Sequence, residues 1–200
     1  MGLPFRSGHI LGLRRFPASS IGPGYRSVWH RDPDGRWTFF QDVLPVHGCS
    51  RYFGPAVAEV AAATIDIEWV GPRQFSVTVT DATRRLDWSV TLTTSPITTA
   101  MSALGSLLPE AVWRQRWFLA GMGALAGPML GAGTVSLVGR APNGQRFVAN
   151  PLLVWLIADS RATLDGIELG VIGPSPVRGQ MPGFRIPQRG VFAIGKAFFR

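Results

Sequence analysis

One cysteine, Cys49, is the only thiol in 200 residues. An intrachain disulfide is therefore excluded, and a reducing compartment is the expected setting. Lysine is equally scarce: Lys196 stands alone, so nineteen of the twenty cationic side chains are arginine. That skew is what a GC-rich genome produces. The arginines are also dispersed, adjacent only as Arg14-Arg15 and Arg84-Arg85, whereas surfaces that track phosphates gather Lys and Arg on one stripe. The net charge of +8 is accordingly read as a scattered, solvated surface, and no nucleic-acid partner is expected.

Charge of either sign is thin, at 16% of residues against 46% hydrophobic, which argues against disorder. The first residues lack the basic region and apolar run of a signal peptide. Arg6 stands where myristoylation needs Ser or Thr. A cytoplasmic chain is expected, with membrane association left open. Three histidines and one cysteine show no close ligand spacing, so no metal site is expected.

Aromatic rings and turn formers are abundant instead. Seven Trp and twelve Phe favour strands over slim helical bundles, and 24 Gly with 16 Pro supply many turns. Residues 1–24 carry Gly, Pro and Ser at short intervals and read as an arm. Strand patterns at 25–30 and 37–42 flank Asp32-Pro33-Asp34-Gly35, a turn in which Pro fixes φ and Gly permits positive φ. From Thr64 a period of two is strong. Ile65, Ile67 and Trp69, then Phe75, Val77 and Val79, then Leu86, Trp88, Val90 and Leu92 each alternate with polar residues. Such runs form an antiparallel meander with one wet face.

Beyond Ser95-Pro96 the period becomes helical, with Met101, Leu104, Leu107 and Leu108, and a second start at Pro109-Glu110. From Trp117 through Gly139 no residue is charged. The run is long enough to span a bilayer, but Pro128 and its glycines weaken it. A buried helix is favoured, with an interfacial helix or a cavity lid as alternatives. Gly121-Met122-Gly123-Ala124-Leu125-Ala126 matches a dinucleotide fingerprint formally. It lacks the preceding strand and the acidic residue about twenty positions on, so no cofactor is expected. Strand patterns return over 134–170, and 171–200 read as a wrapping tail with a closing strand. The fold class is thus mainly β: one domain, its meander over 25–94 curled into a barrel or half-barrel, with an apolar helical insertion at about 97–132.

His47 and Cys49 stand two apart, but no third group orients them, so a catalytic dyad is not favoured. Asp66, Glu68 and Asp87 alternate with the bulky residues and are expected to face water. Asn150, held extended by Pro151, either faces a ligand or finishes a strand; the second is preferred. His30, in a Trp-bearing strand, is the candidate acid–base residue.

The Trp29-His30-Arg31-Asp32-Pro33-Asp34-Gly35-Arg36-Trp37 hairpin and the meander through Leu92, about half the chain, resemble lipocalin-like proteins of the calycin kind, including the group typified by carotenoid hydratases. The resemblance implies a barrel cavity for a lipid, an isoprenoid or a similarly apolar molecule. Trp29, Trp37, Trp69 and Trp88 are the expected lining, with one of His30, Tyr25 or Arg36 fixing ligand orientation. Two alternatives stay open. One is an enzyme performing acid–base isomerisation, hydration or cyclisation of a lipid-like substrate. The other is a protein that touches a membrane or a second copy of itself through residues 117–133.

Overall fold

The computed structural model describes residues 1–113, 115–176, 180–181 and 184–200. Its strands are β1 (Gly2–Pro4), β2 (Ile10–Phe16), β3 (Tyr25–Arg31), β4 (Trp37–Gln41), β5 (Glu59–Ala62), β6 (Thr64–Gly71), β7 (Gln74–Thr80) and β8 (Arg85–Thr93). After the helices come β9 (Val138–Arg140), β10 (Arg146–Leu164), β11 (Ile167–Glu168), β12 (Gln180–Met181), β13 (Phe184–Arg185) and β14 (Val191–Phe199). The helices are α1 (Ser50–Phe53), α2 (Pro96–Leu107), α3 (Glu110–Trp113) and α4 (Arg116–Met129).

Ten strands form one path, β5-β4-β3-β2-β1-β14-β10-β8-β7-β6, with β9 and β11 attached to β10. Every pairing on the path is antiparallel except β4 with β5. The fold is a mainly β, strongly curled half-barrel with a few inserted helices. The two ends of the path, β5 and β6, are successive pieces of one run separated by Ala63 alone. Ala63 donates its amide to the Gln41 carbonyl at 3.0 Å, and Arg26 Nη1 donates to the Ile65 carbonyl at 2.9 Å.

Local chemistry explains the best-defined turns. The β3–β4 hairpin closes where the Asp32 carboxylate accepts the Arg36 amide at 2.8 Å and Gly35 takes φ +94°, a conformation that costs glycine nothing. The meander β6-β7-β8 pairs as its period demands, Ile65 with Val79 and Val77 with Trp88. Asp66 and Glu68 are exposed, and Asp87 pairs with Arg85.

Residues 2–16, read from sequence as part of an arm, supply β1 and β2 in the middle of the path. Within the 134–170 stretch of expected strands, Arg146–Leu164 is one strand of 19 residues, β10. Its register shifts at residue 152 against β14 and at 158 against β8. Each shift lets the strand turn its large residues to a new side.

α2 lies along β10, and α4 packs beside β9. Ser95 caps α2 by accepting the Thr98 amide while Thr98 Oγ1 accepts the Ser95 amide, a reciprocal cap with Pro96 in the first turn. Ser102 Oγ then accepts the Val154 amide at 3.0 Å, and Gly105 sits so close that a Cβ would lie 2.5 Å from the Leu152 carbonyl oxygen. Gly123 and Gly127 of α4 lie against the backbone of the 133–137 segment in the same way. The small residues of the apolar run thus serve close packing, where the formal fingerprint would have put a pyrophosphate. Among the described residues no helix is long and apolar enough to cross a membrane.

Candidate functional site

Two aromatic cores sit on opposite faces of β2–β4. The inner one fills the half-barrel with Leu11, Val28, Phe40, Ile65, Phe75 and Trp88, among others. The outer one, beneath α1 and the end of β14, contains Tyr25, Trp29, Trp37, Phe39, Cys49 and Phe53. Adjacent residues of β3 point to opposite faces, so Val28 enters the inner core and Trp29 the outer one.

The four candidate lining tryptophans are therefore not brought together. Trp29 stacks on Phe39 at 4.2 Å between ring centroids, and Trp37 meets Phe39 edge-on; both belong to the outer core. Trp88 is buried in the inner core, where its indole donates to Ser160 Oγ at 2.8 Å. Ser160 in turn donates to the Ser89 carbonyl, so no polar atom of that chain is left without a partner. Trp69 lies at the end of the inner core and is 49% exposed. Arg36 is exposed in its hairpin. Tyr25 OH lies 3.4 Å from Cys49 Sγ, and burial raises both of their pKa values. His47 Nδ1 instead lies 2.6 Å from the Ile21 carbonyl, so His47 and Cys49 form no dyad.

The two ends of the inner core differ in chemistry. At one, β6 and β7 set Trp69 against Phe75, 4.9 Å between centroids. Phe75 reaches Phe192 of β14 at 5.6 Å, and Phe192 meets Trp155 of β10 at 5.7 Å. The group grades from fully buried Phe75 to half-exposed Trp69. It offers an aromatic surface continuous with the apolar interior.

At the far end of β7, roughly 15 Å along the strand, the lining turns polar. His30, Thr38 and Glu59 form one cross-strand row over β3, β4 and β5. Arg84, in the β7–β8 turn, grips Glu59 through two hydrogen bonds of 2.6 and 2.9 Å and Asp81 at 2.7 Å. Its guanidinium lies 5.0 Å over the Phe40 ring and so lies across this end of the apolar interior. Those hydrogen bonds hold Glu59 below the ordinary carboxylate range.

His30, only 7% exposed, lies with its Nε2 3.0 Å from Nδ1 of His9, the rings stacked. Burial first, and the neighbouring His9 second, push His30 down to about 4. Burial also lowers His9, against the pull of Asp32. At neutral pH the pair is uncharged: one nitrogen donates, the other accepts, and the tautomers are coupled. Such a pair can pass a proton between a buried and a half-exposed position. The sequence singles out His30 but not His9. The only signal would have been the β2–β3 register, Leu11 opposite His30, which needs β2 to be recognised first.

Asn150 faces the helical layer, and its side-chain oxygen, like the Trp113 indole nitrogen, is buried with no hydrogen-bond partner among the described residues. No described group of three His, Cys, Asp or Glu side chains is placed to hold a metal ion. Comparison of the chain with protein-family models, curated proteins and solved structures gives no significant match.

Proposed function

We propose that this chain is a lipocalin-like binder of an apolar small molecule, lipid- or isoprenoid-like, taken up at the aromatic end of the half-barrel. One observation carries the reading: the Trp69–Phe75–Phe192–Trp155 group leads from solvent into the apolar interior without a charged residue in the series. Large ring faces joined to an apolar interior are the usual lining of small-molecule sites.

The test is native mass spectrometry of protein purified without detergent, with solvent extraction of whatever dissociates, followed by titration with cis-parinaric acid. Saturable probe fluorescence is expected, weakened at least tenfold in Trp69→Ala. No adduct together with no saturable probe signal would refute the reading.

A second reading is favoured by the His9–His30 contact alone: acid–base isomerisation, hydration or cyclisation of the bound molecule. His30→Ala would then abolish conversion of the extracted compound while leaving probe binding intact. Unchanged conversion would remove the reading.

A further inference from the structure

The helical layer leaves a broad apolar face uncovered. Ile97 and Met101 early in α2 pack with Ala126 and Leu130 late in or just past α4, while Leu108, past the end of α2, packs in one cluster with Leu119, early in α4. Residues of both helices thus share apolar clusters with Val154, Leu156, Val148 and Leu152 of β10. Their inner residues are spent on that contact. Outward they present Leu104, Leu107, Trp117, Leu125 and Met129, with Leu107 81%, Trp117 75% and Leu125 66% exposed. Trp117, Gly121, Leu125 and Met129 recur every fourth residue along one stripe of α4, and Gly121 has open space around it. Solvated helix faces normally carry charge. On this stripe none appears beyond Arg116.

The charged side chains that the structure places beside this face, Arg116 and Arg189, are both basic. Residues 88–158 and 169–200 hold nine cationic side chains against the single acid Glu110, so they carry the whole net charge of +8 and the rest of the chain is neutral. Those stretches of sequence include α2 to α4, β9, most of β8 and β10, and the tail through β14. Arg116 marks one end of α4 and is exposed. Arg189, also exposed, marks the other, donating to the Leu130 carbonyl at 3.3 Å.

We infer that this face docks on an anionic lipid surface, with Leu107, Trp117, Leu125 and Met129 entering the interface and Arg116 and Arg189 meeting the headgroups. An apolar stripe with a Trp at one end and arginines at its margins is what an interfacial helix requires. No described helix is long enough to span, so the contact is peripheral. A second copy fits less well: across a two-fold axis the same basic residues would face one another. The docking surface lies outside the half-barrel interior and stands whether or not that interior takes a ligand.

Co-sedimentation of the intact chain with vesicles tests this directly. Binding is expected to phosphatidylglycerol–phosphatidylcholine vesicles, to be weaker on pure phosphatidylcholine, and to fall as salt rises. Leu125→Glu, an exposed change that should leave the melting temperature unaltered, is expected to weaken binding at least tenfold. Arg116→Glu with Arg189→Glu should do so on anionic vesicles only. The proposal is overturned if neither vesicle binds, if the variants bind as wild type does, or if light scattering shows a concentration-dependent dimer that Leu125→Glu dissolves and lipid does not compete with.

Discussion

Acid should loosen this protein through His30 in a measurable way. The imidazole is 7% exposed and titrates at about 4 against 6.5 when free. Protons therefore bind the unfolded chain first, and stability from this group, complete above pH 6.5, drains away as the pH falls toward 4. Linkage puts the loss at about 2 kcal/mol by pH 5 and about 3 kcal/mol by pH 4. His9, lowered in the same direction, adds to it. The assay is urea unfolding of wild type and His30→Gln at intervals from pH 7.5 to 4. Carboxylates contribute alike to both chains, so the difference between the two curves isolates the imidazole. The wild type should lose the stated amount more than the variant, and the His30 ring signal in NMR should titrate near 4. Parallel curves for the two chains, or a ring that titrates near 6.5, would refute the burial argument and with it the neutral histidine pair.

Alanine placed at two helix glycines should act in opposite directions. Gly105→Ala drives a Cβ to 2.5 Å from the Leu152 carbonyl and should cost about 2 kcal/mol or more through overpacking. Gly121→Ala meets nothing within 4 Å and should stabilise by up to about 1 kcal/mol through helix propensity; thermal melts of both decide. Ser160→Ala strands the Trp88 indole donor in the inner core and should cost about 1–3 kcal/mol in urea unfolding. A loss no larger than for an exposed serine, Ser89→Ala, would show that the Trp88–Ser160 bond contributes nothing.

The meander was legible because each of its strands has one wet face: Ile65, Val77 and Trp88 alternate with polar neighbours, and alternation fixes the inward side. β3 offers no such guide. It is buried on both faces, so nothing in Val28-Trp29-His30 says which side is the interior, and by sequence Trp29 pairs with Trp88 although they lie in different cores. β10 hid its length for a related reason, since its two register shifts at residues 152 and 158 break the period that would announce one strand. The parallel β4–β5 pair is set by the path of the intervening chain, and a four-residue strand carries too little pattern to reveal its partner. The histidine pair was half visible. His30 sits in a recognisable strand, but His9 precedes a strand whose pattern Gly12, Arg14 and Arg15 obscure.

The seam at Ala63 decides how the half-barrel can open. Its two rims are halves of one continuous segment, riveted by the Ala63 amide on Gln41 and the Arg26 side chain on Ile65. Prising the wall apart there would break both bonds and still leave the rims tethered by a covalent residue. The two ends are thus pinned to each other at this one point, and the Ala63 amide, held on Gln41, should exchange slowly with solvent deuterium.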